Sequence, residues 1–343
     1  MPTPSTTFHE ANFRRTPIRD LHLTIEGTRL EPLIQHFYRE LEEAGIQRLS
    51  PQFYLSTEWG VPFGTISIGI PFYLARPELL DLHSEQVGHI EGFGREDILR
   101  YFRHERGHVV NYAYKLYEDE QWVKHFGSMT QPYVEDYRPE PFSTRFVQHL
   151  PGWYAQKHPD EDWSETFAVW MTPGHDWRSQ YAAWPEALAK LEFCAATMAE
   201  LRDREPLVTQ SDLDEHVRDL TYTVDEYYGQ SPAEQVEFPA GLDGALRTMF
   251  EDLGVPEEGD PAVPRVAASK LILRMERSLM ANVFRWTGHF PERTRALLRQ
   301  LAKRADELQQ VYPQDREVEA AVTLTTLVTA LSASYVYRGS YLS

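Results

Sequence analysis

Tyr101-Phe102-Arg103-His104-Glu105-Arg106-Gly107-His108-Val109-Val110 is the stretch on which the fold and the chemistry of this chain turn. Around it, Ile98, Leu99, Phe102, Val109, Tyr112, Ala113 and Leu116 recur at helical spacing, which predicts one amphipathic helix from Glu96 to about Tyr117. Residues four apart on a helix have Cβ atoms roughly 5–6 Å apart, so His104 and His108 can converge on a single ion. This is the H-E-x-x-H spacing of a zinc-binding helix. Glu105 follows the first histidine and points beside the ion, as a base for water does. Gly107 is the one poor helix former in the motif, and its missing side chain predicts a neighbouring element packed closely there.

Two imidazoles need a third protein ligand and an open fourth position if the metal is catalytic. Downstream, His158-Pro159-Asp160-Glu161-Asp162-Trp163-Ser164-Glu165-Thr166-Phe167-Ala168-Val169-Trp170 opens with a proline and acids, then turns apolar, which predicts a second helix. Glu165 is the expected third ligand. Asp160, Glu161 and Asp162 lie in the first turn, where the helix dipole favours acids in any case. Asp162, on the face of Glu165, is expected either to orient a ligand histidine from behind or simply to cap the helix. His158 and Tyr154 are candidate donors to a developing oxyanion, with His149 and Tyr137 behind them.

Glu165-Thr166-Phe167-Ala168 resembles the third-ligand helix of gluzincin metallopeptidases. The combination of Ile70-Pro71-Phe72-Tyr73-Leu74-Ala75, His104 to His108, Tyr137-Arg138-Pro139, Arg145-Phe146-Val147, Trp153-Tyr154-Ala155-Gln156 and His158 to Trp170 is similar to a bacterial zinc-binding metallopeptidase family of that type. The resemblance spans about Leu49 to Glu200. It implies a zincin-like fold, a Zn²⁺ cofactor held by His104, His108 and Glu165, and Glu105 as general base. Arg106 and Trp163 depart from the family's usual smaller or other residues, at positions that are not ligands.

The remainder of the chain narrows the alternatives. Of 343 residues, 42% are hydrophobic and 25% charged, the composition of a folded protein. A single cysteine, Cys194, leaves no disulfide framework and no cysteine-rich metal site, and its run Leu191 to Met198 reads as a core helix. The net charge of -18 argues against a nucleic-acid partner. Arg265 to Arg304 runs the other way, with 10 Lys or Arg against 2 Glu, and reads as a basic helix face leaning on acidic surroundings or as a dock for an acidic ligand. Ala320 to Tyr337 is uncharged and is expected as a buried helix rather than a membrane span. With no apolar leader in Met1 to Asp20, a cytoplasmic protein is expected.

Pro32 to Ala44 predicts a helix stopped by Gly45. Gln52 to Leu55 and Thr65 to Leu74 predict strands, the second either a free edge able to pair with an extended peptide or an internal strand. Ser211 with Asp214 resembles a capping box for a helix through Tyr228. Gly254 to Pro264 reads as a linker, before helices over Ala267 to Trp286, Glu292 to Gln310 and Glu317 to Tyr337. His125, His175 and His289 read as surface or capping residues. The expected architecture is α+β: a zincin-like catalytic domain over 1–200, with an N-terminal arm over about 1–20, and an all-helical domain over 201–343. The expected activity is that of a zinc metallopeptidase hydrolysing a peptide or amide bond of a peptide or protein substrate. Alternatives are a zinc-stabilised peptide-binding protein that does not cut, and an amide-cleaving enzyme of small-molecule biosynthesis.

Overall fold

Helix α1, Leu30–Glu43, buries Leu33, Ile34, Phe37 and Leu41 along one stripe and ends before Gly45, as its spacing predicts. In the computed structural model, which describes residues 13–134, 137–229, 242–253 and 263–341, the chain divides into two compact units. The first holds the described residues through Gly229 apart from Val87–His89, and the second holds those three and the described residues from Leu242 onward. The architecture is helix-rich α and β with small sheets.

In the first unit, β1 (Gln52–Ser56) and β2 (Ser67–Pro71) form a parallel pair in the register Gln52 to Ser67 through Ser56 to Pro71. Strand β2 is buried at every position. The Ile66 N–H just before it goes to the Gln210 carbonyl, and the Gly69 N–H goes to the Gly60 carbonyl. The strand is therefore internal in character, the second of the two readings expected for Thr65 to Ile70.

Helices α2 (Pro77–Gln86), α3 (Arg95–Tyr114) and α4 (Glu120–Phe126) follow. Helix α3 carries the two histidines and is buried at almost every position from Ile98 on, ending where Lys115 turns left-handed. After a long irregular connection, α5 (Pro159–Met171) begins at an N-cap formed by His158, with Pro159 at the first helical position. Gly107 does what its place suggests: a Cβ there would stand 2.6 Å from the Ser164 Cα, so α3 and α5 touch backbone to backbone. The Trp163 indole seals the contact by donating to the Gly107 carbonyl at 2.8 Å. Helices α6 (Trp177–Gln180) and α7 (Pro185–Leu201) complete this side, with Cys194 fully buried in α7.

The chain after Leu201 stays with the first unit, so the compact unit extends beyond residue 200. Leu207 and Val208 donate to the Ala113 carbonyl, Val217 donates to Leu55, and Val217, Leu220 and Val224 join the same core. Because the backbone from Leu207 to Val217 bonds to α3 and β1, the expected capped helix from Ser211 does not form; only α8, Val224–Gly229, is helical. At the other end, Ile18 is buried and donates to Tyr222, so the described part of the N-terminal arm is packed; Met1 to Asn12 lie outside the described residues.

The second unit contains α9 (Leu242–Met249), α10 (Ala268–Thr287), α11 (Pro291–Glu307) and α12 (Glu317–Arg338). It is not all-helical: β3 (Glu251–Asp252), β4 (Arg265–Ala267) and β5 (Gln310–Pro313) form a small antiparallel sheet in the order β3-β5-β4. Most of the expected linker, Gly254 to Ala262, lies outside the described residues. The basic run is largely matched within the unit, by Arg265 with Glu251, Arg274 with Glu317, Arg295 and Arg299 with Glu276, and Arg304 with Asp243. That favours the basic face over the dock. Helix α12 buries Ala320, Leu324, Val328 and Leu331 but leaves Val318 and Val322 exposed, so one face only is covered; by length and composition it could cross a membrane. His289 is a core residue rather than a surface one, held by Thr294 at 2.7 Å and the Tyr341 hydroxyl at 3.1 Å.

Candidate metal centre

Helices α3 and α5 bring together His104, His108 and Glu161, all buried, with one donor atom from each pointing at a common centre. The two Nε2 atoms are 3.3 Å apart. Glu161 Oε2 lies 3.0 Å from His104 Nε2 and 3.3 Å from His108 Nε2. Each imidazole is held from behind. His104 Nδ1 is 2.9 Å from Glu165 Oε1, and His108 Nδ1 is 2.9 Å from Asp160 Oδ2.

Glu165, the third ligand expected from the sequence pattern, is not among these three converging donors. It stands on the outer nitrogen of His104, and its second oxygen accepts the N–H groups of His149 and Leu150 at 2.7 and 2.8 Å. Glu161, one helical turn earlier on the same face, reaches the inner nitrogens instead. Asp162 is likewise not behind either histidine: it pairs with Lys190 of α7 at 2.5 Å. The carboxylate that does orient His108 is Asp160, which also accepts from the Asn111 amide and the Tyr112 hydroxyl.

The electrostatics follow from this crowding of buried acids. Burial alone would lower the His104 pKa, but its bonds to Glu161 and Glu165 overcome that and raise it to about 9. His108 is raised well above the ordinary value, as the charges of Asp160 and Glu161 outweigh burial. Burial works against ionised Glu161 too, yet His108 and His104 hold its carboxyl well below the usual range. A field that favours two imidazolium ions in a buried place equally favours one divalent cation bound to two neutral imidazoles.

A cleft of about 860 Å³ opens onto the cluster, walled by residues of the first unit that include Trp59, Phe63, Glu105, Tyr112 and Tyr154. Glu105 is buried, and burial raises its pKa while the two imidazoles pull it back down. His158 also lines the cleft, but both of its nitrogens are engaged: Nδ1 accepts the Asp160 N–H that it caps and Nε2 faces the Gln131 carbonyl at 3.1 Å. It is therefore a capping residue with no proton to spare. Tyr154 packs edge-on to His104, ring centroids 5.5 Å apart, and burial holds its hydroxyl protonated. His149 and Tyr137 bond to backbone carbonyls, of Arg100 and Gly152, and stand outside the cleft walls.

Tyr133 is the residue that sequence reasoning missed. Its hydroxyl donates to Glu161 Oε1 at 2.7 Å and so leaves Oε2 as the oxygen facing the imidazoles. It belongs to an irregular segment with no periodicity, so no local spacing singles it out. Compared with protein-family models, with curated proteins and with solved structures, the chain has no match in any of the three.

Proposed function

We propose that this protein is a zinc-dependent hydrolase of peptide or amide bonds, zincin-like in its metal helix and related to the gluzincin-type bacterial metallopeptidases that its motifs resemble, with Glu161 rather than Glu165 as the third ligand. The observation that carries the reading is a set of donor separations. Zinc bonds of about 2.0–2.1 Å at tetrahedral angles place ligand atoms roughly 3.3–3.4 Å apart. The three pairs here stand at 3.3, 3.3 and 3.0 Å. Two imidazoles, one carboxylate and an acid behind each imidazole are also the donor chemistry and outer support that zinc takes.

When bound, zinc supplies Lewis acidity, polarising a carbonyl and making water easier to deprotonate. Glu105 then has the work of a base: its carboxylate takes a proton from the attacking water and hands it to the departing nitrogen. A carboxyl whose pKa burial has raised is better matched to both transfers than an exposed one. Glu165 and Asp160 keep the imidazoles turned toward the centre. Tyr133, by donating to Glu161 Oε1, leaves Oε2 as the oxygen that would hold the metal.

Metal content and peptide hydrolysis, measured on matched variants, test this. Glu105→Gln is expected to retain one zinc per chain and lose cleavage of a peptide library, whereas Glu161→Gln loses the zinc. Cleavage at the wild-type rate by Glu105→Gln refutes the base, and full zinc retention by Glu161→Gln refutes the ligand. The second reading, a zinc-stabilised peptide-binding protein, is favoured by one feature: His158, an expected donor, has both nitrogens occupied. Stoichiometric zinc and peptide capture without cleavage would establish it.

A further inference from the structure

Phe63 is 65% exposed, yet it stands in a wall of the cleft that opens on the metal cluster. We propose that Phe63, Tyr112, Tyr117 and Met129 form the subsite for a large apolar or aromatic side chain adjacent to the bond that is cut, which makes the substrate class peptides bearing such a residue there. The inference rests on the hydrolase reading and names the substrate of that same site.

The ring is presented, not merely uncovered. Phe63 rides a tight turn in which the Thr65 N–H and hydroxyl both donate to the Pro62 carbonyl, at 3.1 and 2.8 Å. Gly64 takes the left-handed φ of 75° that this turn requires. Two rings brace it from below. Tyr112 lies edge-on at 4.9 Å and Tyr117 at 5.6 Å between ring centroids. Met129 adds a soft, adaptable wall in the same cleft.

The shelf also begins at the chemistry. Tyr112 is one helical turn beyond His108, and its hydroxyl is bonded to Asp160, the acid that orients that histidine. The shelf and the His104, His108 and Glu161 cluster thus line one cleft and share the Tyr112 and Asp160 contact. Elsewhere the cleft is of a different character: Tyr154 packs beside His104, and the Lys157 ammonium sits 4.5 Å over the Tyr133 ring. The cleft wall thus offers unlike surfaces, one apolar and open, the other aromatic and accompanied by a cation.

The experiment measures binding of peptidyl hydroxamates, which chelate zinc through an open position, to the zinc-loaded full chain. The side chain next to the hydroxamate is varied through Gly, Ala, Leu and Phe. Covering an aromatic ring and adding one edge-to-face contact is expected to tighten the Phe compound about tenfold over the Ala compound. Phe63→Ser is expected to abolish that preference, so that within this variant the Phe and Ala compounds bind with equal Kd. Equal affinity across the series, or a preference that survives Phe63→Ser, overturns the subsite and leaves the hydrolase reading standing. Failure of every hydroxamate to bind a stoichiometrically zinc-loaded protein overturns both, because it removes the open position on which each depends.

Discussion

Substituting Gly107 with alanine should damage the proposed metal centre more than it damages the fold. The added Cβ would lie 2.6 Å from the Ser164 Cα and 3.0 Å from its Cβ. Carbon atoms in ordinary contact sit about 3.5–4.0 Å apart. Ser164 presents backbone at this point, so no rotamer change relieves the clash and α5 must retreat from α3 by about 1 Å. Ser164 lies between Glu161 and Glu165, so that retreat carries both carboxylates with it. Overpacking costs roughly 1–3 kcal/mol, but alanine returns about 1 kcal/mol of helix propensity, leaving only a modest net loss of stability. Metal sites tolerate errors of only about 0.2 Å. We therefore expect zinc affinity, measured by competition with a chromophoric chelator, to fall at least about tenfold, or about 1.4 kcal/mol. Gly244→Ala, in α9 with nothing near its Cβ position, is the control and should be neutral or stabilising. A Gly107→Ala protein that binds zinc as tightly as wild type would show that the helix contact does not set the ligand geometry.

Two further outcomes concern stability. Lys190→Met should cost about 3–5 kcal/mol in urea unfolding, since it strands the buried Asp162 carboxylate; burial already raises the Asp162 pKa to about 7, against the pull of Lys190. Adding Asp162→Asn should restore part of the loss, and a fully stable single variant would contradict the pairing. In the second unit, burial, helped by the Arg293 charge, lowers the His289 pKa to about 3, below the unfolded value of about 6.5. The folded form therefore binds its proton later than the unfolded chain, so the contribution is complete above about pH 6.5 and is lost as pH falls toward 3. By pH 5 the loss is about 2 kcal/mol. Comparing urea midpoints of wild type and His289→Gln at pH 7.5 and pH 5 checks this; equal slopes with pH in the two proteins would refute it.

Much of this could be read from one dimension because it is local. The amphipathic stripes of α1 and α3, the proline start of α5 and the ends of α10 and α12 depend on residues within a turn or two of each other, where spacing and capping decide. The capped helix expected from Ser211 failed for a different reason. Its backbone groups found partners far away in the chain, in α3 and β1, and a distant partner leaves no local trace. The short strands β3 and β5 escaped notice likewise, each being too brief to show alternation before pairing with the other.

At the candidate metal centre the division is sharper. His104 and His108 share a helix face because they are four residues apart, a consequence of 3.6 residues per turn that no tertiary contact is needed to secure. Glu161 and Glu165 satisfy the same rule, so both are eligible, but a first-turn acid such as Glu161 already has an explanation in the helix dipole, which leaves Glu165 as the expected ligand. Which one meets the inner nitrogens depends on how α5 is slid and rotated against α3. Gly107 against Ser164 sets the spacing of the two helices, and Trp163 bonded to the Gly107 carbonyl sets their register. The local code thus assigned the chemistry to a pair of helices, and side-chain packing between them chose the carboxylate.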